Sequence, residues 1–321
     1  MEERNVSAMP ETAPREIPSS SDRATEEAAS PSGYRGMADY WELITGDHAD
    51  HEAEMDNLEL LLRRHGAPRS QSFLDLGCGS GVQATILASR GYDVTGIDCE
   101  PDMIQVARNR AGRFRIPPRF EVGDMRSFDM GRTYDVAYSW RGAVDHLLRD
   151  DDFESMLGSV RRHVPKGVFI FEFWQNIGLR PHVEYWEKHH PGPQREVLYL
   201  QNIRYDPVSS ILTREAELYA LDFGAGKLEA HSVSTVRSRM LTIRSMGALV
   251  ERGGFEVLGF YDATQPWQGP VERAHPAHQV LCVCRPRRPF GASPFGHGSL
   301  GSTHVSPALP GLPSVPLRRS T

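Results

Sequence analysis

A glycine-rich segment follows a short apolar run in the first third of the chain. Asp75, Gly77, Gly79 and Gly81 alternate in it with apolar or small residues, and an apolar helical pattern begins at Val82. Glycine permits a sharp turn and lets a ligand approach the main chain closely. The helix that follows offers unpaired N–H groups at its start. The segment therefore predicts a binding loop for a small ligand.

The spacing of the glycines separates two kinds of ligand. A dinucleotide-binding fingerprint is G-x-G-x-x-G, and its third glycine would fall on Val82. The carboxylate of Asp75 would repel a pyrophosphate, whereas it would attract an ammonium group. These residues argue against a nicotinamide-dependent oxidoreductase, which we keep as an alternative hypothesis.

Two further acidic residues follow apolar runs later in the chain. Asp98 ends the next predicted strand, where a carboxylate can accept hydrogen bonds from both hydroxyls of a ribose. Asp124 follows a third strand and can accept one from an adenine amino group, while Met103 and Met125 can pack on the ring. In this order, the residues predict a ligand that carries adenosine and an ammonium group.

The elements that position these residues alternate between strand and helix. Near-continuous apolar strands between helices indicate a parallel sheet that is covered on both faces. The periodicity predicts strands over 72–76, 93–97, 119–122, 134–139 and 167–172, and helices over 49–65, 82–90, 101–111 and 151–163.

The pattern changes after this region. Longer alternating segments separated by turn residues are typical of antiparallel strands. They cover 195–205, 211–220 and 229–239, and a helix at 241–252 and strands at 255–261 and 278–284 follow. The predicted fold is α/β: a Rossmann-like, doubly wound, mainly parallel sheet with an antiparallel β insertion at about 195–240, to which the last two strands return.

The bulk properties limit the function classes. The formal net charge of -6 argues against a protein that coats nucleic acid. We see no signal peptide and no apolar run long enough to cross a membrane, so we expect a cytoplasmic protein without membrane partners. The ends, 1–33 and 286–321, are predicted to be disordered tails around a domain at 34–285. No histidine or cysteine spacing predicts a metal site.

Four motifs together resemble a known family. FLDLGCGSG, VTGID, GDMRSF and YDVAYSW resemble the successive motifs of class I S-adenosylmethionine methyltransferases, over about residues 35–285. Within that class the chain is similar to small-molecule N-methyltransferases, particularly those that dimethylate amino sugars. The resemblance implies S-adenosylmethionine as cofactor and adds Ser139 in the fourth motif to the cofactor-binding candidates. It also implies that the insertion covers the acceptor site and can form a homodimer.

Fewer residues indicate where the methyl acceptor binds. A histidine can accept the proton of an amine, and His146 lies where the similar enzymes carry a histidine near the substrate amine. Glu172 and Trp174 end the fifth strand and can bind an ammonium or hydroxyl group and form a wall of the site. Arg141 can hold an anion. The family commonly places a tyrosine in the N-terminal segment, for which this chain offers His51 or Tyr40.

The sequence therefore predicts methyl transfer to a small molecule, with nitrogen favoured over oxygen as the acceptor atom. A small-molecule O-methyltransferase and a non-catalytic module that binds S-adenosylmethionine remain open. We see neither a basic RNA-binding appendage nor an Asn-Pro-Pro-Tyr-type motif for extruded bases, so nucleic acid is not an expected partner.

Overall fold

A computed structural model describes residues 38–287, with gaps at 39, 46–47, 113, 115, 176–181, 193 and 272–276. The predicted disordered tails lie outside the described residues, except for Pro286 and Arg287. Within the described part, no helix is long and apolar enough to cross a membrane.

A seven-stranded sheet forms the centre of the molecule. Its strands are β1 (Ser72–Leu76), β2 (Asp93–Asp98), β3 (Arg119–Val122), β4 (Val136–Ser139), β5 (Val168–Trp174), β10 (Phe255–Asp262) and β11 (Gln279–Pro286). Their order across the sheet is β10-β11-β5-β4-β1-β2-β3. Only β11 runs antiparallel to its neighbours in this described sheet. The predicted mainly parallel sheet is confirmed, as is the return of the last two strands.

The helices that cover this sheet are amphipathic or apolar segments between the strands. They are α2 (His48–Arg64), α3 (Val82–Ser89), α4 (Pro101–Ala111), α5 (Asp150–His163) and α6 (Ile243–Arg252). A short helix that precedes them, α1 (Trp41–Thr45), instead packs Leu43 and Ile44 against the antiparallel insertion. Pro101 begins α4, where its missing N–H costs nothing. The Thr242 side chain caps α6 by accepting a hydrogen bond from the Ser245 N–H.

Alternate residues of the central strands enter two separate cores. Phe169, Phe171 and Phe173 point to the face that packs against α5 and α6. Val168 and Ile170 point to the other face, which packs against α2, α3 and α4. Because both faces of the sheet are buried, its strands are continuous apolar segments in the sequence. This is why their positions can be predicted from the sequence.

A second, four-stranded antiparallel sheet is inserted after β5. It consists of β6 (His182–Gly192), β7 (Arg195–Asp206), β8 (Ile211–Asp222) and β9 (Lys227–Arg239), in that order. The predicted insertion is confirmed, but we expected three strands and missed β6. Its sequence is polar and charged, and its residues pair along β7 from His182–Arg204 to Gly192–Arg195. Pairing with β7, rather than its own pattern, makes this segment a strand.

The order of strands creates a crevice beside β1. β2 and β3 lie on one side of β1, and β4 and β5 lie on the other, so the chain reverses direction across the sheet there. In such sheets, ligands bind outside the carboxyl ends of the strands at this reversal. The ends of β1, β2 and β4 are therefore the place to look for a site.

Candidate functional site

A cavity of about 970 Å³ opens at the carboxyl ends of the parallel strands. Residues of β6, β7, β8 and β9 also line it, so it lies between the two sheets. Its size suits a cofactor together with a small acceptor. The cavity is lined by most of the predicted site residues: His51, Asp75, Gly77, Gly79, Asp98, Met103, Asp124, Met125, Arg141, His146, Glu172 and Trp174.

Three predicted site residues are not brought to the cavity lining. Ser139 is fully buried, and its hydroxyl donates a hydrogen bond of 2.8 Å to the Leu76 carbonyl, which ties β4 to β1. Tyr40 packs against the buried face of the four-stranded sheet. Gly81 is the N-cap residue of α3. None of the three lines this cavity, and their roles in binding stay predictions.

The glycine loop turns sharply between β1 and α3. Gly77 and Gly79 adopt positive φ angles of 72° and 52°, which glycine adopts without strain. A Cβ on Gly77 would lie 2.6 Å from the Ala143 Cβ, so only glycine fits there. The N–H groups of Gly77 and Cys78 donate to the Ile97 carbonyl at 2.8 and 3.0 Å. The loop is thus held open toward the cavity by β2.

Asp98 lies at the end of β2 with both carboxylate oxygens bound to the main chain. The Gly79 N–H donates to Oδ2 and the Glu100 N–H donates to Oδ1, each at 2.9 Å. Burial raises the pKa of this carboxyl, while the two N–H groups oppose the rise. The hydrogen bonds fix the orientation of the side chain toward the cavity. Each oxygen keeps a second lone pair that can accept from a ligand hydroxyl.

Asp75 is buried at the end of β1 and lines the cavity beside the loop. The Tyr138 hydroxyl donates a hydrogen bond to its Oδ2 at 2.9 Å. Burial raises its pKa to about 8, against the lowering effect of the Tyr138 hydrogen bond, and the charges of Asp98 and Glu54 raise it further. A cation in the cavity would stabilise the charged form of this carboxyl.

The residues after β3 form another part of the wall. Arg126 donates to both oxygens of Asp124, at 2.6 to 3.0 Å, and these bonds lower the pKa of the carboxyl. Asp124 is therefore a charged acceptor held by its neighbour. Met103 is buried and Met125 is partly buried, and both side chains line the same cavity.

His146 ends a short 3-10 helix, Ala143–His146, that follows β4. Its Nδ1 lies 3.1 Å from the Arg237 carbonyl oxygen of β9. A carbonyl can only accept, so this bond requires the proton on Nδ1 and makes Nε2 the basic nitrogen. Burial lowers the pKa of the imidazole, and the charge of Arg214 lowers it further. His146 is therefore neutral at neutral pH.

Glu172 and Trp174 lie at the end of β5, as predicted. The Arg141 N–H donates to Glu172 Oε2 at 3.3 Å. Burial raises the pKa of Glu172 to about 7, and the charge of Glu54 adds to the rise. Arg141 itself takes a positive φ of 54°, which is unusual for a residue other than glycine. Its guanidinium forms an ion pair of 2.8 Å with Glu54.

The sequence analysis missed four residues that line the cavity. Glu54 and Gln83 flank His51: Gln83 Nε2 lies 2.9 Å from Glu54 Oε2 and 3.0 Å from His51 Nδ1. The Asp145 carboxylate accepts from the Trp174 N–H at 3.0 Å. Arg214 comes from β8. Glu54 alone had a signal in the sequence, since His51 and Glu54 are spaced to share one helix face.

Within the described ranges, no three or more His, Cys, Asp or Glu side chains are grouped so that they could hold a metal ion. The side chains of His48 and His189 lie outside the described part.

Comparisons with known proteins agree with this geometry. A family model described as "Methyltransferase domain" matches residues 73–167. A dTDP-3-amino-3,6-dideoxy-alpha-D-glucopyranose N,N-dimethyltransferase of Streptomyces fradiae is 31% identical over 43% of this chain and 53% of its own length. The first three relatives, all amino-sugar N,N-dimethyltransferases, are each matched over about half of their length.

A longer alignment decides the family. Glycine N-methyltransferase of Rattus norvegicus is 35% identical over 61% of this chain and 72% of its own length. The chain belongs to the class I S-adenosylmethionine-dependent methyltransferases. A methyltransferase structure from Clostridium acetobutylicum has the same fold, with a TM-score of 0.65 at 15% identity over 79% of this chain and 99% of that one. O-methyltransferases also occur among the relatives of this methyltransferase.

The residues of this methyltransferase fit S-adenosylmethionine, the cofactor of the family. A Cβ on Gly79 would meet nothing closer than Trp41 Nε1, at 3.7 Å, so the main chain of the loop is open to a ligand there. Asp98 offers acceptors for hydroxyl groups, and Asp75 is a buried carboxyl whose charge a cation would stabilise. The missing third glycine already argued against a dinucleotide, and the family assignment removes the oxidoreductase alternative.

Proposed function

We propose that this protein transfers a methyl group from S-adenosylmethionine to an amine nitrogen of a small molecule. One observation carries the proposal: a single cavity joins the glycine loop and Asp98 to a neutral histidine and buried carboxyls. When bound, S-adenosylmethionine supplies the methyl group in activated form. The protein must then hold the acceptor in line and exclude water.

We assign the cofactor end as follows. Gly77 and Gly79 leave room for the cofactor at the main chain, and Asp75 binds its ammonium group. Asp98 accepts from the ribose hydroxyls. Asp124 accepts from the adenine amino group, and Met103 and Met125 pack on the ring. The support is their common position around one cavity and the chemistry of each side chain.

At the acceptor end, we assign to His146 the role of the base that accepts the proton of the amine. An amine can attack only with its lone pair free, so a base must take its proton. The hydrogen bond from Nδ1 to the Arg237 carbonyl leaves Nε2 as that base. The lowered pKa keeps the imidazole neutral, and thus able to accept, at neutral pH.

Glu172, Trp174 and Arg141 are the proposed acceptor-binding residues. Glu172 offers a carboxylate to an ammonium or hydroxyl group, and Trp174 offers an aromatic wall. The Arg141 guanidinium is bound to Glu54, so it positions Glu54 as well as any anionic group of the acceptor. His51 Nδ1 lies 3.2 Å from Glu54 Oε2, and His51 lines the same cavity.

Nitrogen is favoured over oxygen for two reasons. Carboxyls line the acceptor end, and they attract ammonium groups. The relatives with the strongest support for the family are named as N-methyltransferases. O-methylation is the second candidate, because O-methyltransferases are among the relatives and His146 could accept a hydroxyl proton equally well.

The test is incubation of the purified protein with S-adenosylmethionine and paired amines and alcohols, followed by mass spectrometry of the products. We expect a gain of one methylene unit on amines. A gain on the alcohols alone would support O-methylation. S-adenosylhomocysteine binding without any product from a broad metabolite mixture would favour the non-catalytic module.

We also propose that the four-stranded sheet forms a homodimer. Its outer face places Trp186, Leu200, Glu217 and Val233 in one row across β6, β7, β8 and β9. Trp186 and Val233 are 64% and 56% exposed, which is costly for a monomer in water. Light scattering would show a dimer, and Trp186→Glu would dissociate it.

The cytoplasmic location stays a prediction from the sequence.

A further inference from the structure

Two carboxyls at the acceptor end are bound to the same residue. The Trp174 N–H donates to Asp145 Oδ2 at 3.0 Å, and the Trp174 side chain hydrogen-bonds to Glu172. A Cβ on Gly142 would lie 2.8 Å from both Asp145 Oδ2 and Trp174 Cδ1. The turn before the 3-10 helix is thus packed tightly against the two carboxyls. Their charges interact, because each of them is buried.

Each carboxyl has one oxygen that is not used by the protein. Asp145 Oδ1 and Glu172 Oε1 are buried and have no hydrogen-bond partner among the described residues. The side chains are only 4% and 3% exposed, and both line the cavity. A buried polar atom without a partner is costly, so these oxygens point to a ligand that donates hydrogen bonds.

A third side chain gives the same indication independently. His51 is 4% exposed and lines the same cavity, and its Nε2 has no hydrogen-bond partner in the described part of the chain. It comes from α2, whereas Asp145 and Glu172 come from the 3-10 helix and β5. Polar atoms from three elements are therefore left for a ligand.

The charges around the two carboxyls do not balance them. Arg141 faces Glu172, but its guanidinium is bound to Glu54, which brings a third negative charge. His146 and Arg214 line the same cavity. Two buried carboxyls of this kind cannot both be charged without a cation, so they retain a proton.

We propose that Asp145 and Glu172 form a paired carboxyl site that binds the acceptor as a protonated amine and releases the proton held by the pair. The proposal rests on the proposed function and deepens it: it names Asp145 as a binding residue and an alkylammonium ion as the substrate class. An ammonium group has three donors, enough to reach both unused oxygens. A neutral alcohol of the same size has one donor and no charge to replace the proton.

Protons and charges balance at each step of binding and reaction. Before binding, the pair carries one proton and one negative charge. On binding, that proton goes to solvent, and the ammonium cation faces two carboxylates. The proton that the amine must lose before methyl transfer passes to His146, as proposed above, and no oxidant or further reactant is needed.

The test uses the whole protein saturated with S-adenosylhomocysteine, with benzylammonium and benzyl alcohol as probes in calorimetry. We expect a preference for benzylammonium on the order of tenfold or more. Asp145→Asn and Glu172→Gln should each abolish most of that preference while S-adenosylhomocysteine still binds. Asp50→Asn, which removes an exposed acid that lines the same cavity, should leave it unchanged.

A second measurement needs no variant. Titration of wild-type protein at about pH 6.5 in two buffers of different ionisation enthalpy should show release of about one proton per benzylammonium bound, and none with benzyl alcohol. Equal binding of both probes, binding of neither, or no proton release would overturn the paired site. Failure of wild-type protein to bind S-adenosylhomocysteine would instead overturn the proposed function.

Discussion

At the scale of single residues, Asp98 connects the cofactor end to the protein main chain. Its carboxylate accepts from the Gly79 and Glu100 N–H groups, so the main chain itself orients the side chain. Preorganisation of this kind lowers the cost of binding. The same bonds mean that a substitution also disturbs the loop, and an experiment must separate these effects.

We expect Asp98→Asn to weaken S-adenosylhomocysteine binding by about tenfold or more, since hydrogen bonds to a charged group contribute about 1.5–3 kcal/mol. Asparagine keeps one oxygen for the main chain but loses the charge. Calorimetry measures the affinity, and the melting temperature serves as the control for folding. Unchanged affinity would show that the ribose binds elsewhere.

His146 and Glu172 should give different signatures in pH profiles. kcat/KM reports the free enzyme and kcat reports the bound complex. Because burial raises the pKa of Glu172 to about 7, kcat/KM should fall as the pH drops through about 7. The Glu172→Gln variant should lose that limb.

The acidic limb of kcat should lie below the ordinary histidine value, because burial lowers the pKa of His146. His146→Ala should reduce kcat by about 10²–10⁴-fold, the usual contribution of a general base, and leave cofactor affinity unchanged. An equal loss of both would argue against an acceptor-side role.

Sequence reasoning found most of the cavity residues, because they follow strand ends that are themselves recognisable. It placed Ser139 in the site by family likeness, whereas its hydroxyl serves the contact between β4 and β1. It did not select Asp145 or Glu54, since a loop acid and a helix acid look like solvent-exposed residues until the packing is known. Burial of a charged residue is a property of the tertiary structure.

At the scale of elements, the turn from β1 to α3 depends on Gly81. It has a φ of 77°, and a Cβ there would lie 2.5 Å from Phe120 Cζ and 2.9 Å from Ala107 Cβ. Gly66, after α2, has the same φ of 77° but no atom within 4 Å of a Cβ. The two positions differ in packing, but an L side chain would be equally strained by the backbone conformation at either one.

We therefore expect Gly66→Ala to cost about 1–2 kcal/mol from strain alone. Gly81→Ala should cost a further 1–3 kcal/mol or so, because it overpacks the core between α4 and β3. Urea denaturation of both variants gives the comparison. Equal losses would mean that Phe120 moves away freely.

Some strands and helices are determined by their own sequence, and others by their contacts with the rest of the protein. The parallel strands were predicted because both of their faces are buried, which leaves an apolar run in the sequence. β6 was missed because HVEYWEKHHPG contains few apolar residues and becomes a strand only by pairing with β7. Helix α1 has only five residues, too few for a periodic pattern.

At the scale of the whole molecule, buried carboxyls link stability to pH. The pKa of Asp75 is about 8 and that of Glu172 about 7, both above the ordinary values of 3.8 and 4.5. Between those limits the folded state binds more protons than the unfolded chain. The free energy of unfolding must then fall as the pH rises through the folded-state pKa values.

From pH 6.5 to 8, we expect the cofactor-free protein to lose about 1–2 kcal/mol of stability. Asp75→Asn should flatten this slope, because its side chain does not titrate. Urea denaturation at several pH values measures both proteins. A stability that rises over this interval, or an unchanged slope in the variant, would contradict the assignment.

The bond between His146 and the Arg237 carbonyl makes the inserted sheet part of the reaction machinery. In a strand, successive carbonyls point to opposite sides, so a one-residue register slip of β9 would turn this acceptor away. The tautomer of the proposed base is thus set 91 positions further along the chain. Anyone grafting the insertion of a related enzyme onto this scaffold, to change its acceptor, would have to transplant the register at residue 237 as well.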